Sequence, residues 1–200
     1  MRIRELSVEG AVEFTPTALH DDRGLFVSPF QETPFRKATG RPLFNVAQTN
    51  HSRSRRGVVR GVHFTATPPG CAKYVYCAQG AALDIVVDIR VGSPTFGSWD
   101  AIRVDPQNFR SVYFPVGVGH AFIALENDTV MCYMISGEYV PENEHALHPL
   151  DPDLDLPLPK DIPLIISERD QVAVTLAEAE QQGLLPRYER CREAEATLWR

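Results

Sequence analysis

The sequence predicts one mainly β domain, folded as an antiparallel sandwich or barrel. Short apolar runs of strand length recur through the middle of the chain, and glycine, proline and asparagine turn sequences separate them. The 200 residues, 44% of them apolar, are enough for one good-sized core, and no internal repeat or low-complexity linker divides them. The central strands are predicted at residues 58–64, 73–78, 82–90, 99–105, 111–115, 120–125 and 129–136.

The two ends of the chain carry the remaining predicted elements. Strand-like sequences occupy residues 12–14, 25–27 and 43–46, and helices are predicted at 33–40, 172–182 and 187–198. The proline-rich, acidic stretch 149–163 is predicted to wrap the outside of the barrel. We expect a single domain with amino-terminal strands in 1–50, a barrel core in 51–136, a wrapping segment in 137–170 and a helical tail in 171–200.

Charge and composition exclude several classes of protein. A net charge of −6 and a pI near 5.5 argue against a nucleic-acid-binding surface, and Arg53-Ser-Arg55-Arg56 is interpreted as a solvated turn. The amino terminus is charged where a signal peptide is apolar, and no apolar run approaches membrane-spanning length, so we expect a cytoplasmic protein that binds no membrane. The four cysteines form no Cys-x-x-Cys pair and are expected to be reduced.

Alternation along the strands suggests a cavity near His63, which follows Arg60 by three residues. In residues 82–90, Asp84 shares one face with other polar groups, while the opposite face is wholly apolar and is expected to pack between the sheets. The polar face is expected to line a cavity that also holds Tyr133. At this level His63 can equally be a hydrogen-bonded structural histidine, Asp84 an exposed strand residue and Tyr133 a core aromatic.

A second histidine lies in Pro115-Val-Gly117-Val-Gly-His120, which matches the Pro-x-Gly-x-x-His pattern of the second cupin motif. Many cupins bind a metal. The usual first motif supplies His-x-His and a glutamate, whereas here His63 is followed by Phe64-Thr65-Ala66. Two imidazoles fall short of a three- or four-ligand site, so we expect no metal.

A set of short motifs recurs in the same order in dTDP-4-dehydro-6-deoxyhexose epimerases, the family that includes dTDP-4-dehydrorhamnose 3,5-epimerase. The resemblance covers positions from about 12 to 186, and the segments 72–77 and 183–186 look most like antibiotic-sugar epimerases of actinobacteria. It implies a cupin-type jelly-roll barrel. The motifs are Asp22-Arg-Gly24, Gln48-Thr-Asn50-His-Ser52, Arg60-Gly-Val-His63, Pro68-Pro-Gly-Cys-Ala-Lys73, Asp84-Ile-Val-Val-Asp-Ile-Arg90, Gly92-Ser-Pro-Thr-Phe-Gly97, Pro115 to His120, Tyr133, Asp151-Pro152 and Ser167-Glu-Arg-Asp170.

The resemblance implies proton transfer next to the C4 ketone of a dTDP-linked 4-keto-6-deoxy sugar, without a cofactor. His63 would be the base, and Asp170 would hold its other ring nitrogen. Tyr133 would return a proton from the opposite side of the sugar. Lys73 would stabilise the negative charge that develops on the C4 oxygen, and Asp84 would support the site.

The resemblance also implies the residues that bind the nucleotide. Arg23 and Arg60 match positions that contact the diphosphate, and His120 lies near the same ligand. Positions around the nucleoside are matched by Gln48, Asn50, Tyr139, Glu144 and Arg169, with Tyr139 stacking on thymine. The amino-terminal strands cross to a second subunit in the family, so Arg23 and Phe26 would serve the neighbouring site of a homodimer.

Departures from the family pattern bear on which carbon is deprotonated. Ser28 stands where the rhamnose enzymes usually have glutamate, and Phe64-Thr65 replaces tyrosine-glutamine. The segment 63–69 resembles C5-acting antibiotic-sugar enzymes, so we expect epimerisation at C5 in a secondary-metabolite pathway. A 3-epimerase, a 3,5-epimerase and a sugar 3,4-ketoisomerase are the alternatives. A non-catalytic sugar-binding jelly roll and a metal-dependent cupin oxygenase are the alternatives from other classes.

Overall fold

The computed structural model of the protein describes residues 1–199, so the last residue of the predicted tail, Arg200, lies outside the described residues. The strands are β1 (Arg2–Glu5), β2 (Val12–Thr15), β3 (Leu19–Asp21), β4 (Gly24–Phe26), β5 (Gln48–Ser54), β6 (Val58–Thr65), β7 (Lys73–Gln79), β8 (Ala82–Val87), β9 (Trp99–Val104), β10 (Ser111–Phe114), β11 (Gly119–Ala124), β12 (Thr129–Ile135), β13 (Glu144–Ala146) and β14 (Ile165–Ile166). The α-helices are α1 (Glu32–Thr39), α2 (Glu168–Gln171), α3 (Leu176–Gln181) and α4 (Tyr188–Glu195).

Two large sheets contain most of these strands. The first has the order β1-β2-β10-β7-β12-β5, and the second has the order β13-β6-β11-β8-β9 with β14 added beside β6. The β14–β6 pair is parallel and the other strand pairs are antiparallel. The prediction of a mainly β, antiparallel protein is therefore confirmed.

Most predicted elements lie close to their observed positions, with one exception among the strands. Residues 43–46 form no strand, although Phe44 is buried in the core, so the strand prediction there is wrong. The strand begins instead at Gln48, because the pairing with β12 starts at the contact between Gln48 and Ile135. The polar sequence of β5 has no apolar alternation, and it gave no strand signal.

Two further expectations concern the helices and the thiols. The predicted helix at 172–182 is shorter, spanning Leu176–Gln181, and begins with a capping box between Thr175 and Glu178. Cys71, Cys77, Cys132 and Cys191 are free thiols. Within residues 1–199, each helix is too short or too polar to traverse a lipid bilayer.

The core between the sheets determines which side chains face the cavity. Val86 of β8 packs there with Met131 and Phe122, and Asp84 lies on the same inward face. The opposite face of β8, which includes Ile85 and Val87, packs on the outer side of the second sheet, away from the first sheet. The expectation that this apolar face packs between the sheets is therefore wrong, because the carboxyl-terminal segment covers it with Leu147, Leu154, Leu176 and Leu185.

An extra residue in β6 places Arg60 and His63 on one face of the second sheet. Residues three apart in a regular strand point to opposite faces. Here His120 of β11 pairs with His63 and Phe122 pairs with Arg60, so two residues of β11 span three of β6. Gly61 lies within this bulge at φ 117°, a conformation that other residues rarely adopt.

The bulge predicts a large effect of Gly61→Ala on stability. A Cβ atom at Gly61 would lie 2.4 Å from the His120 carbonyl oxygen and 2.6 Å from the Ala121 Cα. Backbone strain and overpacking together are expected to lower the free energy of unfolding by about 3 kcal/mol or more. Urea denaturation followed by circular dichroism measures the change.

Gly92→Ala is the matched control for this measurement. Gly92 also has a positive φ, 87°, but a Cβ atom there would have no neighbour within 4 Å. This variant is expected to lose only the conformational component, about 1–2 kcal/mol. Equal losses in the two variants would contradict the close approach of β6 and β11 at Gly61.

Candidate active site

A cavity of about 380 Å³ opens between the two sheets at the end where β6 carries its bulge. Both sheets contribute walls, because β5, β7 and β12 belong to the first sheet and β6 and β11 to the second. Nine of the residues selected from the sequence line it: Asn50, Arg60, His63, Lys73, His120, Tyr133, Tyr139, Glu144 and Arg169. The structure thus brings together most of the side chains that the sequence singled out.

A buried carboxylate holds His63 from behind. His63 Nε2 lies 2.8 Å from Asp170 Oδ1, and the Asp170 side chain is 3% exposed against 33% for His63. Burial acts to raise the pKa of Asp170, but hydrogen bonds from His63, Ser167 and the Gly61 backbone outweigh it and hold that pKa below its usual value. The ionised carboxylate fixes a proton on Nε2 and leaves Nδ1 as the basic nitrogen.

A capped helix and a short strand place Asp170 next to His63. Ser167 caps the short helix α2, its hydroxyl accepting from the Asp170 backbone NH, and β14 just before it pairs with β6. The carboxylate therefore approaches β6 from the side, 107 residues along the chain from His63.

A second carboxylate–imidazole pair has His120 in the wall of the same cavity and Asp84 buried behind it. His120 Nε2 is 2.6 Å from Asp84 Oδ1, and neither residue is appreciably exposed. Burial lowers the pKa of His120, Asp84 partly offsets this, and Lys73 and His63 lower it further. His120 also pairs directly with His63 across the β6–β11 ladder, so the two imidazoles are neighbours.

Tyr133 faces His63 from the opposite sheet. Its ring lies 5.8 Å from that of His120, centroid to centroid. Burial raises the pKa of the Tyr133 phenol well above its usual value, and the Asp84 carboxylate raises it further, so the hydroxyl remains protonated. The site therefore presents a base on one wall and a proton donor on the other.

Fixed cations and hydrogen bonds shape the mouth of the cavity. Arg60 donates to Ser54 Oγ at 3.2 Å, and Arg169 donates to the Glu144 carbonyl oxygen at 2.8 Å. The Glu144 carboxylate accepts from Thr65 Oγ1 at 2.8 Å. Lys73 adds a third positive charge. These groups give a polyanionic ligand a positively charged entrance.

Five selected residues lie outside the cavity wall. Gln48 donates to Asn50 Oδ1 at 2.7 Å and accepts from the Tyr139 backbone NH at 2.9 Å, so it orders two lining residues. Asp84 and Asp170 lie behind their histidines.

The other two residues, Arg23 and Phe26, lie on or beside the β3–β4 hairpin, away from the cavity of this chain. Phe26 is 68% exposed, and Arg23 forms an ion pair with Asp21 at the surface.

Sequence reasoning missed several lining residues. Ser52 and Phe122 follow Asn50 and His120 by two positions, so strand alternation from a known site residue would have found both. Thr65 follows His63 in the same way. Cys71 and Glu138 line the cavity from loops, for which the sequence pattern gives no signal. Within residues 1–199, no three His, Cys, Asp or Glu side chains are grouped as metal ligands.

Comparison with known proteins agrees with this geometry. Residues 5–178 match the family model described as dTDP-4-dehydrorhamnose 3,5-epimerase. The chain is 50% identical to a Streptomyces niveus protein named dTDP-4-dehydrorhamnose 3-epimerase, over 96% of this chain and 91% of that protein. It is 47% identical to a Mycolicibacterium smegmatis dTDP-4-dehydrorhamnose 3,5-epimerase, over 100% and 98% of the two chains.

Solved structures give the same result. The crystal structure of NovW, a 4-keto-6-deoxy sugar epimerase from the novobiocin gene cluster of Streptomyces spheroides, has a TM-score of 0.92 and 49% identity, covering 96% of this chain and 95% of NovW. ChmJ, a 3'-monoepimerase from Streptomyces bikiniensis solved with dTDP-quinovose, has a TM-score of 0.91 and 45% identity, covering 96% and 97%. The chain therefore belongs to the dTDP-4-dehydrorhamnose 3,5-epimerase family and is an isomerase of the epimerase class that acts on carbohydrates.

Proposed function

We propose that the protein epimerises a dTDP-linked 4-keto-6-deoxyhexose by moving a proton on a carbon next to the C4 ketone. The observation that carries this proposal is the opposition of His63, held by Asp170, and Tyr133 across one cavity. Epimerisation requires a base on one face of a carbon and an acid on the other. The solved relatives bound to dTDP-sugars supply the substrate class.

Each residue has one role in the reaction. The ketone acidifies the neighbouring C–H bond, and His63 Nδ1 accepts that proton. Asp170 stabilises the imidazolium that results. Lys73 stabilises the negative charge on the C4 oxygen of the enolate, and Tyr133 donates a proton to the opposite face of the same carbon. The sequence of proton transfers needs no redox cofactor.

The mouth of the cavity is assigned to the nucleotide. Arg60, together with Arg23 from the neighbouring subunit, binds the diphosphate, and His120 lies near the bound ligand. Tyr139 is 57% exposed, so its ring is free to stack on thymine. The remaining nucleoside contacts are assigned to Gln48, Asn50, Glu144 and Arg169.

C3 is the position that we propose first, with C5 as the second candidate. The segment 63–69 favoured C5 in the sequence. The Streptomyces niveus relative and ChmJ are named for action at C3. Their identity to this chain extends over 96% of its length, which carries more weight than the resemblance of the seven residues 63–69 to C5-acting enzymes. Both carbons flank the same ketone, so the same base and acid serve either. NovW comes from an antibiotic gene cluster, which supports a role in secondary metabolism.

The exposed hairpin and an open sheet edge support a homodimer with shared sites. Leu19, Leu25 and Phe26 are 64%, 48% and 68% exposed on β3–β4, which is unusual for three neighbouring apolar side chains. Strand β5 ends the first sheet, so one of its edges pairs with no strand within residues 1–199. We assign the hairpin to that edge of a second copy, where Arg23 and Phe26 reach the cavity beside Asn50.

The finer fold description belongs with these proposals. One sheet has the order β5-β12-β7-β10 and the other the order β6-β11-β8-β9, so the chain alternates between the sheets from β5 to β8 and again from β9 to β12. That alternation supports the cupin-type jelly roll expected from the sequence.

Deuterium labelling tests the proposed reaction and its position. Incubation with a dTDP-4-keto-6-deoxyhexose in deuterium oxide is expected to place solvent deuterium at C3, and NMR of the product locates the label. The variant His63→Ala is expected to lose exchange by about 100-fold or more, because the base is removed. Undiminished exchange in folded His63→Ala would contradict the assignment of the base. Label at C5 would select the second candidate, and movement of the ketone would identify a ketoisomerase.

The variant Tyr133→Phe separates proton removal from inversion. His63 can still take the proton and return deuterium to the same face, whereas the donor on the opposite face is lost. Exchange is expected to continue while formation of the epimer falls by about 100-fold. The two rates are read from one NMR time course. Parallel loss of both would show that Tyr133 acts before or during proton removal.

Sedimentation tests the shared site. Leu19→Asp is expected to shift the protein from dimer to monomer, because a charge would be buried at the interface. Val172→Asp is the matched control, since Val172 is 82% exposed away from the hairpin, and it is expected to stay dimeric. A monomeric wild-type protein would contradict the shared site.

Subunit mixing tests the same arrangement through activity. Arg23→Ala and His63→Ala proteins are each expected to have low activity alone. A mixed dimer contains one site in which both Arg23 and His63 are intact. Mixing is therefore expected to raise the activity above the sum of the activities of the two variants measured separately. No restoration after confirmed subunit exchange would contradict a contribution of Arg23 across the interface.

A further inference from the structure

A hydrogen bond between Thr65 and Glu144 in the cavity wall has no part in the proton transfers proposed above. The Thr65 hydroxyl donates to Glu144 Oε1 at 2.8 Å, and both residues line the cavity. They lie on neighbouring strands, where Glu144 of β13 pairs directly with Thr65 of β6. Side chains of directly paired residues lie on the same face of a sheet, so the strand register itself brings this hydroxyl to this carboxylate.

Glu144 brings a negative charge to a cavity whose proposed ligand carries a diphosphate. A carboxylate repels phosphate oxygens, and when ionised it can only accept hydrogen bonds. Its partner in the ligand is therefore a neutral donor. The nucleoside of dTDP has two such donors, the N3–H group of thymine and the 3′-hydroxyl of deoxyribose.

A cation next to Glu144 competes for the same carboxylate. Arg169 donates to the Glu144 backbone carbonyl oxygen at 2.8 Å, which places its guanidinium close to this residue. Within residues 1–199, the Glu144 carboxylate nevertheless forms no ion pair with Arg169 and accepts from Thr65 instead. The Thr65 hydroxyl thus holds the carboxylate in the wall and leaves the guanidinium available to a ligand.

From this contact we propose that Thr65 is a positioning residue, which holds the Glu144 carboxylate so that it accepts a hydrogen bond from the 3′-hydroxyl of deoxyribose. The proposal rests on the proposed function and names the group of the nucleotide that Glu144 recognises. Tyr139, assigned to thymine, is 57% exposed, whereas Glu144 is half-buried in the wall. The base therefore lies at the rim, and the deoxyribose, which joins it to the diphosphate at Arg60, passes along the wall.

Binding of dTDP and of its 3′-deoxy analogue tests this role in Thr65→Val. Valine keeps the shape of threonine but cannot donate a hydrogen bond. The wild-type protein is expected to bind the 3′-deoxy analogue about tenfold more weakly than dTDP, because a hydrogen bond to a charged group is lost. Thr65→Val is expected to bind dTDP about tenfold more weakly than wild type and to prefer neither nucleotide by more than about twofold. Isothermal titration calorimetry measures the four dissociation constants.

Turnover separates this role from a general disturbance of the site. Thr65→Val is expected to raise KM for a dTDP-4-keto-6-deoxyhexose by about tenfold while kcat stays within about twofold of wild type, since His63 and Tyr133 are unchanged. Thr65→Ser restores the hydroxyl and is expected to recover KM to within about threefold of wild type. A fall in kcat at unchanged KM would overturn the proposal, as would unchanged binding of dTDP.

A double-mutant cycle with Glu144→Ala tests whether Thr65 acts through the carboxylate. In the Glu144→Ala background, Thr65→Val is expected to weaken dTDP binding no further. Additive losses would contradict the proposal, and so would equal weakening of both nucleotides in Thr65→Val. The N3-methyl analogue of dTDP provides the third probe. Loss of discrimination against it in Thr65→Val, with the preference over the 3′-deoxy analogue retained, would show that Glu144 recognises the base and overturn the proposal.

Thr67→Val is the matched control. Thr67 is also half-buried, but it lies outside the cavity wall, and its hydroxyl donates to the Thr65 backbone carbonyl oxygen at 3.4 Å. This variant is expected to keep the wild-type dissociation constants for both nucleotides, and loss of the preference for dTDP in it would overturn the proposal. If Thr65→Val does not fold, Thr65→Ala takes its place with the same expectations. A wild-type protein that binds no dTDP and forms no epimer would instead contradict the proposed function.

Discussion

The extra residue in β6 brings Arg60 and His63 to the same face, and the arrangement of the cavity follows from it. In a regular strand one of the two would point to the outer layer, where Val62 and Phe64 pack. Gly61 permits the bulge because it has no side chain to meet the His120 carbonyl oxygen. A change in backbone geometry at one position thus places the His63 imidazole and the Arg60 guanidinium on the same wall of the cavity.

The two sheets divide the chemistry between them. His63 and its neighbour His120 belong to the second sheet, and Tyr133 and Lys73 belong to the first. The core between the sheets fixes the distance between His63 and Tyr133, the residues that we propose as base and acid on the two faces of the sugar. Each imidazole has its own buried carboxylate, Asp170 for His63 and Asp84 for His120.

The sequence predicted the strands of this site better than it predicted their surroundings. Apolar runs located β6, β8, β11 and β12, and alternation placed Asp84 and Tyr133 on an inward face. Strand β5 was missed because its Gln-Thr-Asn-His-Ser-Arg-Ser sequence has polar residues on both faces. The packing of the apolar face of β8 was predicted wrongly. Periodicity identifies the two faces of a strand, but it does not say which face meets the other sheet.

Long-range partners were beyond the reach of pattern alone. Asp170 approaches His63 from 107 residues away, and only the family resemblance suggested it. Residues in loops, such as Cys71 and Glu138, reach the cavity through backbone paths that have no periodicity. The bulge in β6 could not be predicted from the sequence, because a glycine in a strand is compatible with several irregularities of the backbone.

In the proposed reaction, His63 presents an unprotonated Nδ1 to the cavity while Asp170 holds Nε2–H. Histidine-selective 15N NMR of the protein saturated with dTDP measures this directly, with His63→Gln used to assign the signals. The expected result is a proton on His63 Nε2 and none on Nδ1. A proton on Nδ1 with Nε2 bare would contradict it, because no base would then face the substrate.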